Sequence, residues 1–312
     1  MIDAVLSIPS FIIGIIFLWK GSDILVEGTS NTAAKLGISS IIISLIIVAF
    51  GTSAPEFAIS FGAALQNRAD ISLGNIIGSC VANIFLVIGI SSIINPIKIN
   101  KSIMRRELPI FVAASIILFL FSYFGLLDNY HYFGGLIFLI LFVLFIVYFI
   151  QCARNERKNN EKYGEGSTKK NIIFIILGIA GVIFGAWLLI ESAITIADLL
   201  GIQPFVIALS MVAIGTSLPE LVVSAMAAYK GKSDIAIGNV LGSNVFNIFL
   251  VLGACAIFIP LQADDSFYHL IFLLIATFIM IPVVNTGHII SRFEGVIFLV
   301  LYGVFIWFIF FY

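Results

Sequence analysis

One stretch of this chain occurs twice. Residues 49–57, AFGTSAPEF, match residues 213–221, AIGTSLPEL, and residues 74–89, GNIIGSCVANIFLVIG, match residues 238–253, GNVLGSNVFNIFLVLG. Both pairs are offset by 164 residues with no gap, and eleven of the sixteen positions in the second pair are identical. The matches include Gly, Asn and Ser, so shared apolar composition does not account for them. The fold must therefore contain two equivalent halves, and each half carries a proline followed by a glutamate inside a run of apolar residues.

Those runs need a bilayer. Sixty-one per cent of the 312 residues are hydrophobic and 11% are charged, and stretches such as IIISLIIVAF and LIFLILFVLFIVYFIQ form the apolar centres of membrane-spanning segments. The expected fold is an all-α polytopic membrane protein with ten spans, roughly 4–34, 39–66, 70–95, 103–125, 131–153, 171–200, 203–229, 234–260, 267–283 and 289–311. A polar insertion at 152–170, CARNERKNNEKYGEGSTKK, holds six Lys or Arg against three Glu. It separates a first five-helix repeat (1–151, motif 49–83) from a second (171–312, motif 213–247) and reads as a cytoplasmic linker.

Several function classes fall away. Cys80, Cys152 and Cys255 are widely spaced without a C-x-x-C pair, so neither a disulfide framework nor a zinc site is expected. A net charge of −1 and the lack of a basic stripe argue against nucleic acid. His131, His269 and His288 fall near loops, apart from carboxylates, which argues against a histidine metal centre or an intramembrane enzyme. No cofactor and no obligatory protein partner is indicated; the lipid bilayer is. The N-terminal MIDAVLSIPSF lacks the positive region of a cleaved signal peptide and reads as the start of the first span.

With the N-terminus outside, fourteen of the sixteen Lys and Arg residues fall in cytoplasmic loops, leaving Arg68 in an external loop and Lys20 within the first span. This bias predicts a multi-pass protein of the cell membrane with both termini outside. Five spans, an odd number, separate equivalent points, so the two halves are expected to be inverted. Inverted repeats place a site near the midplane, between the halves.

The duplicated motif has its own chemistry. Pro55 has no N–H for the Gly51 carbonyl, and the helix is expected to unwind over Gly51 to Ala54; Pro219 does the same over Ala213 to Leu218. Freed carbonyls in hydrocarbon need a partner, and cations suit them. Glu56 and Glu220 lie mid-span, where an acid costs roughly 2.5–3.5 kcal/mol. Brought together they repel unless one is protonated or a cation lies between them. A hard divalent ion among two carboxylates and several carbonyl or hydroxyl oxygens describes a calcium site, and Na+ has nearly the same radius. Ser79 and Asn83, like Ser243 and Asn247, sit four residues apart on one helix face and can aim oxygens at the breaks. Asn75 and Asn239 read equally well as interhelical hydrogen-bond partners or as ligands. Gly74, Gly78, Gly238 and Gly242 form small-residue seams, and Gly21, Gly28, Gly181 and Gly185 allow close contact of the first and sixth spans. Asp23, Glu27 and Glu191 read as structural pairs or interfacial groups, with Lys20 as a partner for Asp23 or Glu27.

GTSAPE and GTSLPE, each followed by GN-x-x-GS-x-x-x-N, resemble the two alpha repeats of the Ca2+/cation antiporter superfamily, most closely prokaryotic Na+/Ca2+ exchangers. The resemblance spans essentially the whole chain. It implies a calcium position formed by Glu56 and Glu220 with the carbonyls of Thr52 and Thr216. It implies one sodium position at Ala49, Thr52, Glu56 and Ser79 and another at Ala213, Thr216, Glu220 and Ser243, with Ser53 and Ser217 contributing hydroxyls. A central position would be framed by Asn83, Asn247 and the two glutamates. The family often has an aspartate at one of those two places, so this chain departs from it in offering two site carboxylates. The implied activity is secondary antiport of Ca2+ against Na+, three Na+ per Ca2+ and electrogenic, as the long first and sixth helices slide across a fixed core. A Ca2+/H+ antiporter, in which the glutamates exchange protons, and a K+-dependent exchanger are the alternatives. A passive channel is disfavoured because such a site would hold a divalent ion too tightly for conduction. The linker is too short for the calcium-binding regulatory domains of animal exchangers.

Overall fold

Backbone polar groups in a bilayer can bond only to one another, and helices achieve this within a single segment. The structure is a computed structural model that describes residues 4–159, 168–200, 215–261, 267–285 and 287–311. The helices are α1 (Ala4–Leu36), α2 (Ser40–Thr52), α3 (Ala54–Leu65), α4 (Ala69–Ile94), α5 (Leu108–Tyr123) and α6 (His131–Asn159). They continue with α7 (Thr168–Leu199), α8 (Leu218–Tyr229), α9 (Ser233–Phe258), α10 (Phe267–Asn285) and α11 (Arg292–Phe311). A two-residue ribbon, β1 (Ile97–Lys98) against β2 (Ile289–Ile290), ties the α4–α5 loop to the α10–α11 loop.

Among the described residues seven helices are long and apolar enough to cross a membrane, or eight if α2 and α3, bent by 47° at their junction, count as one span. α5 has 16 residues and is continued at its start by a π turn over Ile103–Glu107, so the expected span 103–125 is helical almost throughout; α8 has 12. The expected seventh span, 203–229, is described only from Gly215 onward, so Ala213 lies outside the described residues. α6 runs six residues past its expected end at 153 and takes in the start of the linker. Side-chain anchoring explains the extension: Glu156 accepts a 3.2 Å bond from Arg106 and a 2.8 Å bond from the Ser39 backbone N–H.

Burial separates an inner pair of helices from the outer ones. In their most apolar windows α4 and α9 are 78% and 83% buried, against 28% for α1, α6 and α7. The inner pair therefore forms the centre of the bundle, and these are the helices that carry the motif asparagines. One large core joins α4, α5, α6, α9, α10 and α11. A second, smaller core joins α1, α7 and α8 through Leu18, Leu25, Val182, Val223 and Ala227.

α1 and α7 are antiparallel and nearly touch along their backbones. Gly14 faces Gly185 and Leu189, Gly21 faces Gly181 and Val182, and Gly28 faces Asn171 and Ile175. A Cβ on Gly21 would lie 2.8 Å from the Val182 nitrogen, so the seam expected from Gly21, Gly28, Gly181 and Gly185 is present and extends to Gly14 and Gly178. Gly238 and Gly242 likewise press on α2, but no such contact is seen at Gly74 and Gly78 among the described residues. The expected Lys20 pairing does not form. Lys230 binds Asp23 at 2.6 Å from the end of α8, while Lys20 lies over the Trp19 ring.

Candidate functional site

Helix breaking is tighter than the sequence suggests. α2 holds helical geometry through Thr52, and the Ser53 N–H still reaches the Ala49 carbonyl at 3.0 Å. The break falls on Ser53 alone (φ −82°, ψ 5°), and Ser217 repeats it (φ −84°, ψ 5°). One bridge-region residue suffices because each proline enters at the first turn of the next helix, where its missing N–H is no loss. The expected unwinding over Gly51 to Ala54 is thus a one-residue kink. It starts α3 and α8 two residues before Glu56 and Glu220, so each acid sits in the first turn of its helix, where the positive end of the helix dipole favours negative charge.

Every described member of the predicted set is buried. Glu56, Glu220, Asn83, Asn247, Ser243, Thr52 and Ala49 have no exposed surface, and Ser53, Ser79, Thr216 and Ser217 have almost none. Hydroxyls of both halves converge on the acids. Ser79 donates to Glu56 Oε1 at 3.1 Å, and Ser243 donates to Glu220 Oε1 at 3.2 Å, each across 23 residues of sequence. Ser53 crosses between motifs to Glu220 Oε1 at 2.9 Å, and Ser217 crosses to Ser79 at 3.1 Å. The Asn247 amide donates to Ser79 at 3.2 Å.

Four buried oxygens at this cluster accept no hydrogen bond: Glu56 Oε2, Glu220 Oε2, Asn83 Oδ1 and Asn247 Oδ1. Buried acceptors without a donor are costly and uncommon. Two carboxylates with two amide carbonyls and surrounding hydroxyls make a donor set for a hard cation, and Na+ and Ca2+ fit that chemistry. Among the described residues no group of three His, Cys, Asp or Glu is placed to hold a metal, so the cluster owes its character to neutral oxygens as much as to acids.

The sequence left open what Asn75 and Asn239 do, and the structure makes them joints. Asn239 accepts from Thr52 at 3.1 Å and donates to Ser224 at 3.0 Å; Asn75 accepts from Thr216 at 3.4 Å and donates to Ser60 at 2.9 Å. Each fastens the motif threonine of the opposite half. Asn239→Leu removes the shortest bonds of the Thr52 and Ser224 hydroxyls and leaves them contacts of 3.4–3.5 Å to Ala49, Ser243 and Ala236; its expected cost is about 1–2 kcal/mol, read as a lower unfolding temperature in detergent. Sequence reasoning assigned no role to Asn244, nor to Cys80 beyond its thiol. Asn244 accepts from Asn83 at 3.0 Å and donates to the carbonyl of Cys80, its own counterpart in the repeat, at 3.4 Å. Position 80/244 thus faces itself between the halves, and the constant 164-residue offset was the signal that could have found it.

Local backbone adds a second surprise. The pentapeptide NIFLV occurs at 83–87 and 247–251, and in both places the helix widens into a π turn. Such turns shift side-chain register by one residue and gather at functional sites. Here they begin at Asn83 and enclose Asn247. A cavity of about 550 Å³ reaches the cluster from one side, between α3, α7 and the start of α8, and its lining includes Asn75 and Thr216.

Comparison with known proteins extends over nearly the whole chain. The family model described as sodium/calcium exchanger protein matches residues 6–151 and 170–311, leaving out the linker. Sodium/calcium exchanger MaX1 of Methanosarcina acetivorans is 34% identical, over 95% of this chain and 96% of its own. The putative antiporter CaxA of Alkalimonas amylolytica is 36% identical over 82% of both chains. A solved structure of the sodium-calcium exchanger NCX_Mj, soaked with 10 mM Na+ and 10 mM Sr2+, matches with a TM-score of 0.85 at 31% identity, covering 97% of this chain and 98% of that one.

Proposed function

Because the chain belongs to the sodium/calcium exchanger protein family and is a cation antiporter, we propose that it exchanges Na+ for Ca2+ across the cell membrane at the cluster around Glu56 and Glu220. The four unpartnered buried oxygens carry this reading: cations bound in the cluster give these acceptors partners and balance the two carboxylates. Ca2+ lies between Glu56 and Glu220 with the carbonyls of Thr52 and Thr216. Na+ takes flanking positions at Ala49, Thr52, Glu56 and Ser79 and at Ala213, Thr216, Glu220 and Ser243, with Ser53 and Ser217 assisting. Asn83 and Asn247 frame the centre.

The architecture belonging to this reading is ten spans in two inverted halves, 1–151 and 171–312, joined by the linker, with both termini outside. Hydrogen bonds that recur at equal spacing in the two motifs support it. Alternating access has support in a difference between the halves. α1 packs along α8 through Leu18, Leu25 and Val26 against Val223, Met226 and Ala227, whereas the equivalent space between α7 and α3 is the open cavity. The α1–α7 pair, tightly seamed within itself, moves as one body so that first one side and then the other is open.

Three Na+ per Ca2+ leaves one net charge moving per cycle. In liposomes clamped with valinomycin and a K+ gradient, Na+-driven Ca2+ flux is expected to change severalfold between opposite potentials. A flux indifferent to potential means two Na+ per Ca2+. The identity of the coupling ion is tested by calcium-45 uptake into liposomes under an outward Na+ gradient, an outward proton gradient, or none. Uptake on the Na+ gradient alone is expected; uptake that follows protons and ignores Na+ overturns the reading, and equilibration without any gradient indicates a channel.

A further inference from the structure

Two of the glutamates outside the site lie on the long helices α1 and α7, and the repeat relates them. ILVEG at 24–28 and LLIES at 188–192 occupy equivalent positions, so Glu27 of α1 and Glu191 of α7 are counterparts at the same 164-residue offset. Neither side chain has a hydrogen-bond or ion-pair partner among the described residues. Because α1 and α7 run antiparallel, with Gly28 beside Ile175 and Gly14 beside Leu189, Glu27 lies near the start of α7 and Glu191 near its end. At 1.5 Å per residue they are roughly 22 Å apart along the helix axes, toward opposite membrane faces.

Glu191 lines the cavity between α3 and α7, and it is the one charged residue among the described lining groups. The walls around it are apolar, formed by Ile183, Trp187, Ile190, Pro55 and Ile59, while Asn75 and Thr216 lie in the same cavity against the ion cluster. Low-dielectric walls focus the field of a single carboxylate along the cavity and raise the local concentration of cations. An acid in a membrane helix is costly unless it faces partners, water or ions, and this one faces a path to the site. Glu27 is exposed, and the space matching that cavity on its side is filled where α1 packs on α8.

We propose that Glu191 draws cations into the cavity on one membrane face, and that Glu27 does the same on the opposite face once the α1–α7 pair has shifted. This rests on the exchange reading above and adds two recruiting acids, one for each access state.

The test is sided. In vesicles of known orientation at low ionic strength, Glu191→Gln raises the apparent KM for Ca2+ about 3- to 10-fold on the face where α7 ends, with the maximal rate changing less than about twofold. The shift shrinks as N-methylglucamine chloride is raised, because salt screens a through-space field. Glu191→Asp stays close to the parent, and KM on the other face is unmoved. Glu27→Gln gives the mirror result. A KM shift equal on both faces, a shift indifferent to salt, or no shift overturns the proposal. If the parent protein moves no Ca2+ on a Na+ gradient, the exchange reading fails, and the cavity is still read by thiol chemistry. In a Cys152→Ser background, Ala58→Cys is expected to react faster with a cationic than with an anionic methanethiosulfonate, and Glu191→Gln to shrink that ratio severalfold. A thiol at 58 that reacts with neither reagent marks a lipid-filled cavity, and a ratio indifferent to Glu191 removes its role; either result overturns the proposal.

Discussion

Glu56→Gln and Glu220→Gln are each expected to lower Na+-driven Ca2+ uptake by at least about 100-fold. The substitution is nearly isosteric, so the Ser79 bond to Glu56 Oε1 and the Ser53 and Ser243 bonds to Glu220 Oε1 have a carbonyl oxygen left to accept them. What changes is the charge, and the replacement of one unpartnered acceptor oxygen by an N–H2 that points into the cluster. A divalent ion then meets one carboxylate where it needs two. Breaking a buried ion pair by removing one partner costs about 3–5 kcal/mol, which at 1.4 kcal/mol per decade is roughly 100- to 1,000-fold or more. Calcium-45 uptake into liposomes carrying matched amounts of protein reads the effect. Exchange above about a tenth of the parent rate in either variant means the site lies elsewhere.

Gly185→Leu is expected to stop transport while leaving Ca2+ binding intact. A Cβ at position 185 would sit 2.7 Å from the Leu18 nitrogen and 2.9 Å from the Gly14 carbonyl oxygen, and backbone cannot yield as a side chain can. α1 and α7 must therefore splay, which breaks up the rigid pair proposed to move as one body. Overpacking of this kind costs about 1–3 kcal/mol or more. The ion cluster is built on α2, α3, α4, α8 and α9, none of which is in the α1–α7 seam, so equilibrium Ca2+ binding in detergent should survive while uptake falls at least about tenfold. Gly303→Leu on α11 is the control, because nothing lies within 4 Å of a Cβ there and the position is exposed. Equal loss in both variants would mean general damage to the fold, and normal uptake in Gly185→Leu would remove the seam from the mechanism.

Much of the candidate cluster could be read from sequence because it is written twice. Thr52, Ser53 and Glu56 recur in register with Thr216, Ser217 and Glu220, and the spacing of Ser79 and Asn83 recurs in Ser243 and Asn247, so chance was a poor explanation before any geometry was known. What escaped was whatever depends on contact between the halves. That Thr52 bonds Asn239 rather than its own neighbour Asn75 is a matter of how two repeats dock, and no local pattern encodes it. Asp23 pairs with Lys230, 207 residues away, although Lys20 is one helical turn distant, because Lys20 is drawn aside over Trp19. The π turns at the two NIFLV segments were also hidden, since their residues are ordinary helix formers and packing sets the extra backbone residue. The kink at Ser53 was overestimated for a related reason: proline forbids one hydrogen bond, and tertiary contacts keep the rest of the helix in place.

The central claim is that two broken helices, one from each half, form a single cluster that takes either Ca2+ or Na+. Equilibrium calcium-45 binding to the purified protein, titrated with Na+, tests it most directly. One Ca2+ per chain is expected, displaced fully by Na+ with a Hill coefficient above one because several Na+ replace one Ca2+, and lost in Glu56→Gln and in Glu220→Gln alike. Ca2+ that stays bound as Na+ saturates, or that survives loss of either glutamate, would contradict the account.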